Sequence, residues 1–584
     1  VTTQAMTRRR LFLAMFVIVA LVLVLIVKLI DFQVVQASAL TKAASETRTL
    51  PVTVYGTRGE IYDDNGVLLA DSVMRYNIIA APFLVGDVTR LIDGKKVKVT
   101  RDELIKELAV VTKVRSTEIL ATLTEDPEAN YAVIAKEVTA DVYDKVMALE
   151  IPWVDSEQRP SRSYPQGAVA GNIVGFLGTD GPGAGVELDL DSCLASTNGS
   201  ETYERGADGV RIPGSTITTK PVVDGGDVAL TLDSDLQWYA QQQLGKVASA
   251  EGAEWAIAIV LEVETGDLKA VAEWPTADPN EPGKSVSDTW TSRSFTSPYE
   301  PGSIMKPLTA SMLIDAGKAT PTTQLTVPYR YNPNPGVDLH DAVWHDNARL
   351  TTTGILRDSS NVGISMLSNR LDAQTRYDYF TKFGLTEQSE VGFVGESAGL
   401  LADPSTWDRQ QNYTVMFGQG VLPTAIQMAS AYQAIGNDGV RLPVNLEKSC
   451  TAPDGTVTAL DTGEERRVVS AQAANATVSM METVATEGWL KDAVAIPGYR
   501  VATKTGTAEV AVNGVYTSQR TFSLAGLAPA EDPKYVVLVS MRNPQVSGST
   551  AVVAPIFRKI MEQTLKTYRV TPSTQKASNP PATW

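Results

Sequence analysis

The chain has 584 residues, an ordinary globular composition and a formal net charge of −16 at pH 7. Its length allows about four domains, although one large α/β enzyme domain absorbs much of that. The acidic balance argues against a nucleic-acid partner and reads as a soluble surface.

Arg8-Arg9-Arg10 precede a charge-free apolar run from Leu11 to Val27, extended by Lys28-Leu29-Ile30 to Asp31. The run is long enough to span a bilayer once Lys28 snorkels. The positive flank stays on the cytoplasmic side, so everything after about Asp31 lies outside the cell membrane. A cleaved signal peptide is the alternative. The run is long for one, and the poor cleavage candidate Gln36-Ala37-Ser38-Ala39 lies well beyond it. The expectation is an uncleaved single-pass anchor over 11–30 with 1–10 cytoplasmic.

Residues 32 to about 57 read as a polar stalk, helical and then extended. Within Arg58–Ala70, Asn65-Gly66 between apolar runs signals a hairpin. Residues 100–150 mix helix and strand patterns, while Arg162-Ser163-Tyr164-Pro165 and residues 171–178 are strand-like and glycine-punctuated. Asp224-Gly225-Gly226-Asp227 marks a boundary. After it come a short strand, Val228–Leu232, and a helix capped by Asp233-Ser234-Asp235.

The second half reads as one large domain. Trp255–Val263 is an apolar strand, Glu264-Thr265-Gly266-Asp267 a turn and Leu268–Trp274 the return. Ser303-Ile304-Met305-Lys306 follows the turn Pro301-Gly302. A Ser and a Lys three residues apart share a helix side. Pro307 is tolerated only in a first helical turn. Ser303 is therefore expected at a helix N-terminus, among free N–H groups and a positive dipole end, which suits an acyl-transfer nucleophile. Leu308–Ala316 continues that helix.

One S-x-x-K means little alone. About 56 residues on comes Ser359-Ser360-Asn361, and about 145 further Lys504-Thr505-Gly506-Thr507. Between them Leu422–Ile435 has helical spacing; Val501–Thr507 and Tyr535–Met541 read as strands and Pro555–Tyr568 as an amphipathic helix. Strands at both ends with helices between suggest a sheet with helices packed around it. The tail to Trp584, rich in Pro, Ser and Thr from Thr571, reads as disordered.

Cys193 and Cys450 both lie beyond the anchor, where disulfides persist, but their pairing stays open. No cluster of ligand-type residues surrounds either one. His340 and His345, the only histidines, lie in a run from Asp338 to Asp346 that looks metal-rich. A loop upstream of Ser359 is the better account, and no metal or cofactor is expected. The lack of any further His disfavours a Ser-His-Asp triad and favours a lysine base.

S-x-x-K, S-x-N and K-T-G in this order form the signature of penicillin-binding proteins and serine β-lactamases. With the anchor and the non-catalytic region, the chain resembles a class B penicillin-binding protein over nearly all of residues 10–568, most like the division-specific FtsI type. An elongation-type relative is the runner-up. Arg58–Ala70 is similar to the family's R-G-x-I-x-D-x-N-G-x-x-L-A element, and Tyr299-Glu300-Pro301-Gly302 and Gly418-Gln419-Gly420 are also similar. The resemblance implies an α/β (α+β) transpeptidase fold, a sheet flanked by helices, over 224–568. An elongated, mostly β pedestal of the dimerisation type over 31–223 would precede it, and a disordered tail over 569–584 would follow.

The resemblance implies a peptidoglycan D,D-transpeptidase of septal wall synthesis. Its partners would be stem peptides ending in D-Ala-D-Ala, an amine acceptor, β-lactams and other divisome proteins. A membrane glycosyltransferase of the shape, elongation, division and sporulation group would polymerise the glycan, because no glycosyltransferase-like region precedes the pedestal. Ser303 would be the nucleophile and Lys306 the base, its pKa depressed by burial and a nearby cation, Lys504. Ser359 would bridge the two lysines and relay the proton. Asn361 would bind the substrate amide and orient Lys306. Lys504, Thr505 and Thr507 would hold the terminal carboxylate, and Gly506 would let the substrate backbone approach. The N–H groups of Ser303 and Thr507 would form the oxyanion hole. A β-lactam-sensing receptor, a hydrolase and a vestigial scaffold are the competing readings. A single membrane pass, the large pedestal and the intact motifs count against them in turn.

Overall fold

The computed structural model describes residues 2–40, 49–92, 94–178, 180–204, 212–285, 289–459, 463–512 and 514–584. Contacts divide the chain into two units: Val1–Thr57 with Ser196–Asp224, and Arg58–Ala195 with Gly225–Trp584. The single cut expected near 224 is therefore replaced by a discontinuous one. The reason is strand pairing between segments far apart in sequence, which local patterns do not reveal.

In the first unit, Thr2–Ile30 is a helix, and Gln4–Val35 is long and apolar enough to cross a membrane. Thr49–Val54, Gly199–Glu204 and Ile217–Lys220 form a three-stranded antiparallel sheet in that order. The middle of the expected stalk, residues 41–48, lies outside the described residues.

The second unit starts at the Arg58–Ala70 element. Gly66, at φ +79°, turns the chain so that Ile61–Tyr62 pairs with Leu68–Ala80. Asp63, buried, accepts from Asn65 N and Val67 N within the turn and from Ser234 N and Oγ outside it. Leu68–Ala80 also pairs with Ala132–Val138 and Val154–Ser163. The helices Arg101–Thr112, Ser116–Glu125 and Ala140–Met147 pack beside this sheet through Leu104, Leu108, Ile119, Leu123 and Val146. Glu187, fully buried, takes Arg58 Nε at 2.7 Å and Arg162 Nε at 2.6 Å. The strand Asp227–Leu230 pairs with Ile61–Tyr62 on one side and Glu447–Thr451 on the other. Cys193 and Cys450 form a disulfide beside it, with a Cα–Cα distance of 6.2 Å, which answers the pairing that the sequence left open.

In chain order the main elements that follow are α1 (Ser234–Glu251), β1 (Trp255–Glu262), β2 (Leu268–Trp274), α2 (Lys306–Asp315), β3 (Gln324–Val327), β4 (Ala348–Thr351), α3 (Thr352–Arg357), α4 (Asn361–Ser368), α5 (Ala425–Gly436), α6 (Ala471–Glu487), β5 (Ala502–Val512), β6 (Val515–Ala528), β7 (Tyr535–Arg542) and α7 (Ala554–Thr567). The five-stranded antiparallel sheet runs β2-β1-β7-β6-β5, so β5 is an edge. Because side chains alternate along a strand, β1 sends Ala256, Ala258 and Val260 to one face and Ile257, Ile259 and Leu261 to the other. The first face is covered by α1 and α7 through Leu236, Leu244, Phe557 and Met561; the second meets α5 through Met428, Tyr432 and Ile435.

The tail differs from expectation. Residues 571–584 are mostly exposed but are held by hydrogen bonds rather than disordered: Ala582 is buried, Thr351 N donates to Ala582 O at 3.1 Å, and Trp584 Nε1 donates to Leu325 O at 3.2 Å. Polar composition suggested disorder, but exposed backbone edges on the catalytic part supply the hydrogen bonds that order the segment.

Candidate active site

Ser303 lies in a 3₁₀ turn, Gly302–Met305, which runs directly into α2. The turn is tighter than the α-helical start expected from the sequence, and Pro307 explains why. Pro307 has no N–H to offer the Ser303 carbonyl four residues back, so Lys306 N–H donates to it from three residues away. In a 3₁₀ turn residues three apart eclipse, which brings Lys306 Nζ to 2.7 Å from Ser303 Oγ.

Lys306 is fully buried and has four polar contacts: Ser303 Oγ, Ser359 O at 2.8 Å, Ser359 Oγ at 3.3 Å and Asn361 Oδ1 at 2.7 Å. Burial, then the charge of Lys504, push its pKa well below the usual lysine value, and Asp341 opposes them. A neutral amine has two N–H donors and one lone pair. Donation to Ser359 O and Asn361 Oδ1 uses both hydrogens and leaves the lone pair for the Ser303 hydroxyl. Lys504, also fully buried, donates to Ser359 Oγ at 2.9 Å and to Thr505 O at 3.0 Å, and burial lowers its pKa to about 7. The Ser359 hydroxyl thus stands between the two amines.

Ser359 holds φ at +57°, a left-handed conformation uncommon for a residue with a side chain. The loop around it is fixed from outside. Asp341, buried, accepts from Ser360 Oγ at 2.7 Å and Val362 N at 2.9 Å, and its Oδ2 lies 2.9 Å from His345 Nε2. Ser360 caps α4 by accepting from Gly363 N. Asn361 Nδ2 reaches His340 O at 3.4 Å. Asp341 was missed as a site residue: it stood in the sequence inside a run that resembled metal ligands, and nothing local tied it to Ser360.

The third motif lies on the edge strand β5. Lys504 and Gly506 share one side of it, whereas Thr505 and Thr507 alternate with them, half-buried and exposed. Thr507 Oγ1 meets Thr550 Oγ1 at 2.8 Å, and Thr550 Oγ1 donates to Gly506 O at 3.1 Å. Gly506 also has a neighbour within the protein. A Cβ there would lie 2.7 Å from Pro301 O and 3.1 Å from Ile304 Cγ2, so the missing side chain makes room for the Ser303 turn. Two more glycines complete the contact. Gly302, at φ +60°, would place a Cβ 2.7 Å from Thr507 O, and Gly418 would place one 2.2 Å from Gly302 O. Gly302 N donates to Gly418 O, and Gly420 N donates to Glu300 Oε1 at 2.7 Å. The three motifs, about 200 residues apart at the extremes, thus converge on one centre, with Thr505 and Thr507 at its outer side.

A hydroxyl nucleophile with an adjacent buried amine of depressed pKa and a second amine beyond it can support acyl transfer. The chain is similar to known proteins over most of its length. The family model "Penicillin binding protein transpeptidase domain" matches residues 256–562, and "Penicillin-binding Protein dimerisation domain" matches residues 53–182. Penicillin-binding protein PbpB of Mycolicibacterium smegmatis is 35% identical over 95% of this chain and 89% of its own length. Peptidoglycan D,D-transpeptidase FtsI of Escherichia coli K12 is 30% identical over 92% of this chain and 88% of its own. Penicillin binding protein 3 of Mycobacterium tuberculosis, solved with aztreonam, is 29% identical, with a TM-score of 0.68 over 90% of this chain and 98% of its own.

Proposed function

This chain belongs to the class B penicillin-binding proteins and is a peptidoglycan D,D-transpeptidase; from that premise we propose that it serves septal wall synthesis through an acyl-enzyme on Ser303. The observation that carries the reading is the 2.7 Å contact between Ser303 Oγ and the buried Lys306 amine. Lys306 Nζ takes the hydroxyl proton as Ser303 Oγ bonds to the carbonyl carbon of the penultimate D-Ala. The C–N bond to the terminal D-Ala breaks, and the departing amine takes up a proton relayed through the Ser359 hydroxyl. An amine of a neighbouring stem peptide attacks the ester, its proton returns through Lys306, and Ser303 leaves as the alcohol. Splitting the reaction at an ester is covalent catalysis.

Lys504, in its charged form, attracts the terminal carboxylate, with Thr505 and Thr507 as hydroxyl donors. Asn361 holds Lys306 with its amide oxygen and offers Nδ2 to the substrate amide. The N–H groups of Ser303 and Thr507 receive the oxyanion, each worth about 100- to 1000-fold in rate. The apolar N-terminal helix anchors the chain with Arg8–Arg10 inside and the catalytic part outside. The proposed partner is a membrane glycosyltransferase of the shape, elongation, division and sporulation group, alongside other divisome proteins.

The full chain in detergent, incubated with a fluorescent penicillin and followed by intact mass, tests the chemistry. A stable one-to-one adduct that is lost in Ser303→Ala is the expected result. Rapid penicillin turnover without an adduct would make the chain a hydrolase. For the cellular role, depletion is expected to block septation and leave elongation running; cells that divide but lose their shape would move the protein to elongation.

A further inference from the structure

The tail touches the segment that leads into β5, then α6, then β4 with the start of α3. At its start, Ser573 N donates to Gly498 O at 2.9 Å and Ser573 Oγ accepts from Arg500 N at 2.9 Å. These contacts lie just before β5, the strand that carries Lys504. The chain then crosses α6, where Thr486 Oγ1 donates to Asn579 Oδ1 at 3.1 Å and Ser578 meets Ser479 through their hydroxyls. At its end it lies along β4, with Thr583 bridging Leu350 in antiparallel register. There the Arg349 guanidinium stacks over the Trp584 ring at 4.0 Å.

One side chain joins this last contact to the catalytic centre. Thr351 is the N-cap of α3: its Oγ1 accepts from Gly354 N at 3.1 Å and donates to Pro581 O at 2.6 Å. The following helix ends on Asp358, and the next two residues hang from it, with Ser359 N donating to Leu356 O and Ser360 N to Ile355 O. Ser359 is the residue whose carbonyl and hydroxyl face Lys306. Gly354 shows how closely the tail is seated: a Cβ there would fall 1.9 Å from Ala582 O.

We propose that residues 571–584 are a positioning strap for catalysis, fastening the segment that leads into the Lys504 strand to the helix that sets Ser359. The strap touches no reacting atom. It acts by fixing the cap of α3, and through it the carbonyl and hydroxyl that orient the Lys306 amine. The inference rests on the acyl-serine reading above.

The test compares the full chain with a variant lacking residues 580–584, both in detergent, by the rate of Ser303 acylation at saturating fluorescent penicillin across pH. Loss of the strap is expected to slow acylation by about tenfold or more and to displace the rising limb of the pH profile, a readout that lost stability alone would leave in place. A peptide of sequence Asn-Pro-Pro-Ala-Thr-Trp added in trans is expected to restore the rate saturably. Gly354→Ala is expected to slow the full chain but to add nothing in the shortened one, because it acts by unseating the strap. Trp584→Phe, which keeps a ring under Arg349, is expected to stay near the parent while Trp584→Ala slows.

A folded shortened chain with the parental rate and profile would overturn the proposal, and so would additive losses from the deletion and Gly354→Ala. Should the shortened chain fail to fold, Gly354→Ala and Trp584→Ala in the full chain decide: parental acylation in both overturns the strap. Failure of the parent chain to form a Ser303 adduct would instead overturn the acyl-serine reading.

Discussion

At the scale of single residues, the site brings together two buried lysines, each with its pKa depressed. Lys306 is pushed well down by burial and then by the charge of Lys504, and burial lowers Lys504 to about 7. On the proposed mechanism Lys306 must be neutral to accept the Ser303 proton, so acylation is expected to rise with pH as Lys306 deprotonates. It is expected to fall again as Lys504 loses its charge and with it the proposed attraction for a carboxylate. The two limbs belong to the pair. Lys504→Met removes the positive charge that depresses Lys306, so the Lys306 pKa rises and the rising limb moves to higher pH. A pH series of penicillin acylation rates checks this; a rising limb that stayed in place, or moved to lower pH, would mean that Lys504 does not set the charge of Lys306.

At the scale of elements, the catalytic turn, the edge strand β5 and the Gly418 turn approach through backbone rather than side chains. Gly302, Gly418 and Gly506 each face a backbone oxygen of a neighbour where a Cβ would collide. Gly506→Ala places a methyl group 2.7 Å from Pro301 O, inside normal contact distance, and one side must move. Overpacking of this kind costs about 1–3 kcal/mol. The same movement pulls the turn bearing Ser303 away from Lys504, so Gly506→Ala is expected to lower both the melting temperature and the acylation rate. Parental values for both would show that the strand has room to spare there. Asp341 has the complementary role at the second motif, since it holds Ser360 and Val362 and thereby the left-handed Ser359 between the lysines.

At the scale of the molecule, the Arg58–Ala195 stretch and the catalytic part share one contact unit, fastened by buried polar groups and one covalent bond. Glu187 lies between Arg58 and Arg162, and Asp63 reaches across to the N-terminus of α1. The Cys193–Cys450 disulfide closes a sequence separation of 257 residues. Cross-links over long loops restrict the unfolded chain most, and removing one costs about 2–5 kcal/mol. Calorimetry of the Cys193→Ser, Cys450→Ser double variant is expected to show a lower melting temperature for this unit. Melting unchanged from the parent would mean that the surrounding strand pairing already restrains these segments.

The residues that meet at the candidate site stand out in the sequence because they fall in motifs with fixed local spacings. Ser303 and Lys306 are three residues apart, and Pro307 by its missing N–H dictates the turn that joins them. The strands of the main sheet, the capped helix after Asp233 and the apolar N-terminal helix were equally readable, since periodicity, caps and length are local properties. Other features depend on what meets what across long separations. Pairing of Thr49–Val54 with Gly199–Glu204 decided the unit boundaries, and Asp341 found its partners some 20 residues away. The close approach of Gly506 to Pro301 and Ile304 lies outside its own strand and could not be read from it. The tail is polar enough to suggest disorder, yet it is ordered by β4, α6 and the segment before β5. Local chemistry chose the reagents; long-range packing chose the neighbours that hold them at reacting distance.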